Sequence, residues 1–145
     1  MSFLDQFPRS VRWAIFVPLG IIGAVIVESL LEYVCGAIGL APSARGTGLT
    51  GGALVAFGWA LALSLFPAVL SPRPWIVGIV MFVLGLLWRI APLFFLQPYQ
   101  RARLPEFALY MSVTTAGHVV GGAVGLYLIR DLTTRKRVGA VSEGA

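Results

Sequence analysis

Four long apolar stretches, separated by short polar segments, constrain the fold of this 145-residue chain more than any other feature. Each stretch has about the 20 residues that an α-helix needs to cross a bilayer, or more. Hydrophobic residues make up 58% of the chain and charged residues only 12%, whereas a soluble domain carries about 25% charged residues. This composition excludes a disordered chain and an ordinary water-soluble enzyme. We therefore expect an all-α integral membrane protein with four transmembrane helices in an antiparallel bundle.

The predicted spans cover residues 13–40, 51–70, 75–96 and 107–129, which together give a transmembrane domain over residues 13–130. The first stretch is longer than a span requires, so we expect a tilted helix or one that ends in a re-entrant turn. Residues 1–12 mix aromatic and charged side chains, as is typical of a segment that lies on the membrane surface. Residues 131–145 are basic and then small, and are expected to form a disordered cytoplasmic tail.

The basic residues outside the spans predict the orientation of the chain. With four spans, one side of the membrane carries both termini and the second loop, and its basic residues are Arg9, Arg12, Arg73, Arg130, Arg135, Lys136 and Arg137. The opposite side carries Arg45, Arg101 and Arg103. The positive-inside rule then puts both termini in the cytoplasm, and we expect a bacterial inner (cytoplasmic) membrane.

The net charge of +5 also has a membrane explanation. The basic residues flank the apolar stretches, where they orient helices and meet anionic lipid headgroups. The expected partners are therefore the lipid bilayer and further membrane chains, and no nucleic acid.

Four ionisable residues lie inside the predicted spans, namely Glu28, Glu32, Arg89 and His118. A charge near the middle of a bilayer costs at least about 2.5–3.5 kcal/mol, so each of these side chains must face a partner or a cavity rather than lipid. Counting along the spans puts Glu28 level with His118 near the midplane, and Glu32 level with Arg89 nearer the outer surface. Glu28 and Glu32 share one helix face because they are four residues apart.

Each level pair has a structural and a functional interpretation. Glu32 and Arg89 could form a buried ion pair that locks the first span to the third, or a site in which Arg89 holds an anionic group. Glu28 and His118 could exchange a proton during transport, or form a neutral hydrogen bond that fixes packing. The sequence leaves these alternatives open.

Two rows of small residues predict close helix contacts, either within the chain or between copies. Such residues at every fourth position allow helix backbones to approach each other in a membrane. One row follows the second span and the other the fourth, and they are Gly52, Ala56 and Ala60, and Gly117, Gly121 and Gly125. The hydroxyls of Ser112, Thr114 and Thr115 could line a polar path, but such groups more often bond to carbonyls of their own helix.

Catalytic chemistry finds no support in the sequence. One histidine and one cysteine cannot build a zinc site within a single chain, and no phosphate-binding loop of the G-xxxx-GK type is present. Cys35 lies in an apolar stretch and is expected to be a small buried side chain. We therefore expect no metal, no cofactor and no enzymatic activity.

Two functions remain after these exclusions. The first is a non-catalytic subunit, structural or regulatory, of a larger membrane assembly. The alternative is a small oligomeric transporter or channel, coupled to ions or protons, that uses the buried pair Glu28 and His118. Either function implies a homo-oligomer or other membrane subunits as partners, because a bundle of this size has little interior of its own.

Overall fold

The computed structural model describes residues 8–43, 46–71, 73–91 and 104–142, and these residues form helices and short connections without any strand. Four helices lie in this part of the chain. They are α1 (Arg9–Ala37), α2 (Thr47–Leu70), α3 (Pro74–Ile90) and α4 (Leu104–Ser142). The all-helical fold class predicted from the sequence is therefore confirmed.

Three of the helices are long and apolar enough to cross a membrane, over Val17–Ala37, Thr47–Val69 and Pro105–Thr134. The protein is accordingly an integral membrane protein. The third predicted span corresponds to α3, a shorter apolar helix of 17 residues. At about 1.5 Å per residue such a helix is roughly 26 Å long, and the predicted continuation over residues 92–96 lies outside the described residues.

The helix ends differ from the predicted span ends by several residues. α1 begins at Arg9, inside the segment expected to lie on the membrane surface, and residues 1–7 of that segment lie outside the described part. α2 begins at Thr47, within the predicted loop, although Gly46 and Gly48 flank this start. Apolar patterning reports where a helix is buried in lipid, so it misses the polar turns that extend a helix beyond the bilayer.

The expected disordered tail is instead helical as far as Ser142, because α4 runs without interruption from Leu104 over 39 residues. The segment after Ile129 contains good helix formers such as leucine, arginine and lysine, and its first glycine is Gly139. In addition, the Thr133 hydroxyl donates hydrogen bonds to the carbonyls of Ile129 and Arg130. Residues 143–145 lie outside the described part.

Helix α2 occupies the centre of the fold and packs against each of the other three helices, while α3 also packs against α4. This position follows from its sequence, which contains no charge and many small residues. More than half of its most apolar segment is buried inside the protein, against about a tenth for α1. A buried core of small and aliphatic side chains lies around α2, and it comprises Ala24, Ala62, Leu63, Val77 and Met81.

The two rows of small residues lie in the contact between α2 and α4. A side chain at Gly117 would meet the carbonyl of Ala53, and one at Gly121 would meet the carbonyl of Phe57. At Gly125, an added Cβ would lie 3.0 Å from the Cβ of Ser64. Backbone therefore touches backbone along this contact, and the row on α4 serves packing within the chain.

The row on α2 contributes to the same interface from the other side. Gly52, Ala56 and Ala60 are all buried. A Cβ at Gly52 would lie 2.7 Å from the ring of Tyr110 and 3.1 Å from the methyl group of Thr114. Small side chains on both helices thus allow the close approach that drives helix association in lipid.

Helix α1 docks on α2 through a narrow strip of small residues. Gly20 makes room for the ring of Pro67, with an added Cβ 3.0 Å from its Cδ, and Leu31 covers Gly58. Ala24 and Cys35 are buried on the same helix, which confirms the expectation for the cysteine. The rest of α1 is largely an exposed apolar surface.

The hydroxyl groups ahead of His118 bond to their own helix. Ser112 donates to the carbonyl of Ala108 at 2.8 Å, and Thr114 donates to the carbonyl of Tyr110 at 2.9 Å. Ser64 does the same in α2, donating to the carbonyl of Ala60 at 2.9 Å. These hydroxyls satisfy their hydrogen bonds locally and leave the helix contacts to the apolar groups.

Candidate functional site

A groove of about 460 Å³ lies between α1 and α3, with α2 behind it. It arises because α1 and α3 both pack on α2, and α1 packs on α3 much less. Its walls are mostly apolar. The lining residues are Val17, Ile21, Val25 and Glu28 of α1, Trp59 and Leu63 of α2, and Met81, Leu84, Gly85, Trp88 and Arg89 of α3.

The groove holds two opposite charges, Glu28 and Arg89. Both side chains are part-buried. The Nε atom of Arg89 is buried and has no hydrogen-bond partner in the described part of the chain. A buried guanidinium N–H without an acceptor is costly in a membrane.

The polar residues occupy one end of the groove. On α1 the lining runs from Val17 to Glu28, which corresponds to about 16 Å along a helix. On α3 it runs from Met81 to Arg89, and the charged residue is again the last. The groove is therefore apolar along most of its length and charged at the end where Glu28 and Arg89 lie.

Two exposed or half-exposed indole rings also line the groove. Trp59 comes from α2, and Trp88, which is 75% exposed, comes from α3 directly before Arg89. The flat aromatic faces and the nearby carboxylate of Glu28 could together hold a cationic group. The sequence analysis did not select either tryptophan as a site residue. The position of Trp88 directly before Arg89, an arginine inside a predicted span, could have pointed to it.

Glu32 lies outside this groove. It is exposed on α1, one helical turn beyond Glu28, and is not among the lining residues. The structure thus brings Glu28, rather than Glu32, into the groove with Arg89. Counting residues along each span estimates depth alone and does not give the direction in which a side chain points, so it could not distinguish these two partners.

His118 is completely buried behind the groove. Its imidazole stacks on Phe82, with ring centroids 5.8 Å apart, and contacts Trp59 with centroids 5.4 Å apart. The backbone of Phe82 approaches the ring. However, no contact with hydrogen-bond geometry reaches either ring nitrogen within the described residues.

Groove-lining residues separate His118 from the space that holds Glu28. Trp59 contacts the imidazole on one side and lines the groove on the other, and Gly85 does the same. A Cβ at Gly85 would lie 3.0 Å from Cε1 of His118. The predicted pair of Glu28 and His118 is therefore found on the two sides of a thin wall formed by Trp59 and Gly85.

Comparison with protein families, with curated proteins and with solved structures gave no match to this chain. The class of the protein thus rests on its own sequence and fold. It is an all-helical integral membrane protein with an amphipathic groove between two helices that pack on a common third helix.

Proposed function

We propose that this protein is a non-catalytic membrane subunit, structural or regulatory, of a larger membrane assembly. The observation that carries this proposal is the exposed side chain of Glu32, within the candidate span Val17–Ala37. A carboxylate that faces hydrocarbon costs at least about 2.5–3.5 kcal/mol. A polar or basic group from another chain would remove that cost, so α1 is the expected contact helix.

The packing of α1 supports the same proposal. The helix is held by a narrow strip against α2, and only about a tenth of its span is buried. Several large side chains around Glu32 are exposed, including Leu30, Tyr33 and Val34. This surface is available to another membrane chain, which could be a foreign subunit or a second copy.

The proposed arrangement in the membrane is an antiparallel bundle of four membrane-crossing helices with both termini in the cytoplasm of a bacterial inner membrane. The order of contacts supports alternating directions, because Gly20 meets Pro67 whereas Leu31 meets Gly58. The distribution of basic residues supports the orientation.

The deciding experiment is the native mass of the gently solubilised protein together with the identity of what accompanies it. We expect foreign membrane subunits in a fixed ratio, and we expect Glu32→Gln to weaken their retention. Tyr33→Phe is the matched control, since it removes a polar group from the neighbouring exposed position and leaves the charge. Recovery of the chain without any foreign subunit would contradict the proposal.

A second candidate is a small oligomeric transporter or channel coupled to protons. It is favoured by one specific observation, namely that Glu28 lines a groove whose wall also covers His118, and the ring nitrogens of His118 have no hydrogen-bond partner among the described residues. This function requires that Glu28→Gln abolish proton flux into vesicles while Glu32→Gln preserves it. Equal flux in vesicles with wild-type protein, Glu28→Gln protein and no protein would exclude it.

A further inference from the structure

The geometry points to a pocket between the start of α3 and the second half of α4 as a binding site for the headgroup of an anionic phospholipid. The pocket has a volume of about 310 Å³ and is lined by Trp75, Arg130, Thr133 and Thr134. This volume is at the lower end of the range of about 300–1,000 Å³ that is typical of small-ligand sites. The pocket is separate from the groove between α1 and α3 and from the contact surface of α1, so it does not depend on the proposed function.

The pocket lies at the depth of lipid headgroups. The candidate span of α4 ends at Thr134, and Arg130 is only about 6 Å from this end along the helix. On the other helix, Trp75 is the second residue of α3. The end of the α4 span and the start of α3 meet here, because a Cβ at Gly78 would lie 2.6 Å from the side chain of Ile129. Both helices therefore put the pocket at the boundary between membrane and water, where arginine and tryptophan are typical side chains.

Arg130 and Trp75 offer accessible hydrogen-bond donors in this pocket. Arg130 is exposed, and a guanidinium group can donate two parallel hydrogen bonds to a phosphate. Trp75 is 46% exposed, and its indole N–H is a donor only. The described residues that line the pocket include no carboxylate, because the neighbouring Asp131 is not among them. This set of donors suits the phosphate of a lipid headgroup.

The two threonines add acceptors beside these donors. The hydroxyls of Thr133 and Thr134 donate hydrogen bonds to carbonyls of their own helix. Their oxygen atoms then act as acceptors toward a ligand. A headgroup that carries a phosphate and hydroxyls, as in phosphatidylglycerol, complements both kinds of group.

The charge around the pocket favours an anionic headgroup over a zwitterionic one. Arg73 is exposed and lies two residues before Trp75. Over residues 130–137 the sequence has four basic residues and one acidic residue. Basic pockets between membrane helices at the cytoplasmic side are known to hold anionic headgroups. The ammonium of a zwitterionic headgroup would meet repulsion here.

Exposed side chains next to the pocket favour a lipid over a soluble phosphate compound. Ile79 lies one turn from Trp75 on α3, and Tyr127 lies almost one turn from Arg130 on α4. Both side chains are exposed, and this spacing puts them on the same helix faces as the pocket residues, nearer the membrane centre. Acyl chains attached to a headgroup in the pocket would lie over these side chains, whereas a soluble phosphate compound would make no use of them.

Native mass spectrometry of the full-length protein tests this site. The protein is released from bilayers that contain equal amounts of phosphatidylglycerol and phosphatidylethanolamine with identical acyl chains, and we expect preferential retention of phosphatidylglycerol. Arg130→Gln should lower its occupancy about tenfold, because it removes the charged contact with the phosphate. Arg73→Gln is the matched control and should retain the lipid, since Arg73 is also an exposed arginine at this end of α3 but does not line the pocket.

A pocket-filling variant tests the site without changing its charge. Thr134 is exposed and lines the pocket, so Thr134→Phe fills the space, leaves Arg130 in place and should also displace the lipid. Unchanged retention in both Arg130→Gln and Thr134→Phe would show that no lipid occupies the pocket. Equal losses in Arg130→Gln and Arg73→Gln would mean that the lipid responds to surface charge alone, which would also overturn the assignment.

Two other results would assign the pocket to a different ligand. Preferential retention of phosphatidylethanolamine, lost in Arg130→Gln, would overturn the choice of an anionic headgroup. Inorganic phosphate added to the lipid-free protein in detergent should form no complex that depends on Arg130. A phosphate complex that is lost in Arg130→Gln and blocks retention of phosphatidylglycerol would identify a soluble phosphate compound as the ligand.

Discussion

The close contact between α2 and α4 requires glycine at particular positions of α4, because any larger side chain would collide with the backbone of α2. At Gly121 a methyl group would collide with the carbonyl of Phe57, a backbone atom that cannot move aside without shifting α2. We expect Gly121→Ala to lower the free energy of unfolding in detergent by about 1–3 kcal/mol, as overpacking does in other cores. Gly36→Ala is the control, because nothing lies within 4 Å of a Cβ at Gly36. Equal stability of the two variants in denaturant titrations would contradict this account of the contact.

His118 permits a second prediction about a single side chain. Its ring fills space between Trp59 and Phe82, yet neither ring nitrogen has a hydrogen-bond partner in the described part of the chain. His118→Leu keeps most of the volume and removes two unsatisfied polar atoms, so we expect it to be at least as stable as the wild type. His118→Ala should lose roughly 2–5 kcal/mol, since it leaves a cavity. Thermal unfolding of both variants measures this difference, and a large loss in His118→Leu would show that the nitrogens have a partner outside the described chain.

Among the helices, α1 is the one that packs extensively on a single neighbour, α2, and the one whose span is least buried. It rests on α2 through contacts such as Leu31 over Gly58, whereas α2, α3 and α4 pack on one another. We expect α1 to separate before the remainder unfolds. Cys35 is the only cysteine of the chain and is buried, so its labelling by a thiol reagent reports this step.

The measurement is pulsed labelling of Cys35 during a titration with a denaturing detergent, compared with helix content from circular dichroism. Labelling of Cys35 should increase at a lower fraction of denaturing detergent than the fraction at which helix content is lost. Gly58→Leu should shift the onset of Cys35 labelling to a still lower fraction of denaturing detergent, because the larger side chain displaces Leu31. Gly36→Leu should leave this onset unchanged. Labelling that coincides with global unfolding in every variant would mean that α1 belongs to the same cooperative unit.

At the scale of the whole molecule, α3 determines whether the two termini lie on the same side of the membrane. Its 17 residues correspond to roughly 26 Å, slightly less than a hydrocarbon core of about 30 Å. Its contacts with α4 extend from Gly78, near Ile129, to Gly85, near His118, so the two helices run in opposite directions where they touch. We therefore expect α3 to cross, and both termini to lie on the same side.

Reporter fusions test this topology directly. A fluorescent protein that folds only in the cytoplasm should give a signal when fused to either terminus. A phosphatase that is active only outside the cytoplasm should be active when inserted in the loop between α1 and α2. Signals from the two termini on opposite sides of the membrane would show that α3 does not cross.

The sequence by itself determined the class of the protein, its helical content and the presence of two rows of small residues suited to close helix contact, whereas the structure showed that these rows meet each other between α2 and α4. These properties follow from hydropathy, from the length that a bilayer imposes on a helix and from four-residue spacing, all of which are local along the chain. Local patterning also predicted that Cys35 is buried. It could not predict the helix that continues to Ser142, because that segment extends beyond the apolar stretch to which the pattern responds.

Only the tertiary structure decided which polar residues meet. The sequence puts Glu28, Glu32, Arg89 and His118 at estimated depths, but neighbours across helices depend on the rotation of each helix about its axis and on which helices pack together. Because α1 and α3 both rest on α2, Glu28 and Arg89 come to line one groove, while Glu32 faces outward and His118 lies behind Trp59 and Gly85. The groove itself exists because α2 holds α1 and α3 apart, a relation that no single segment of the sequence contains.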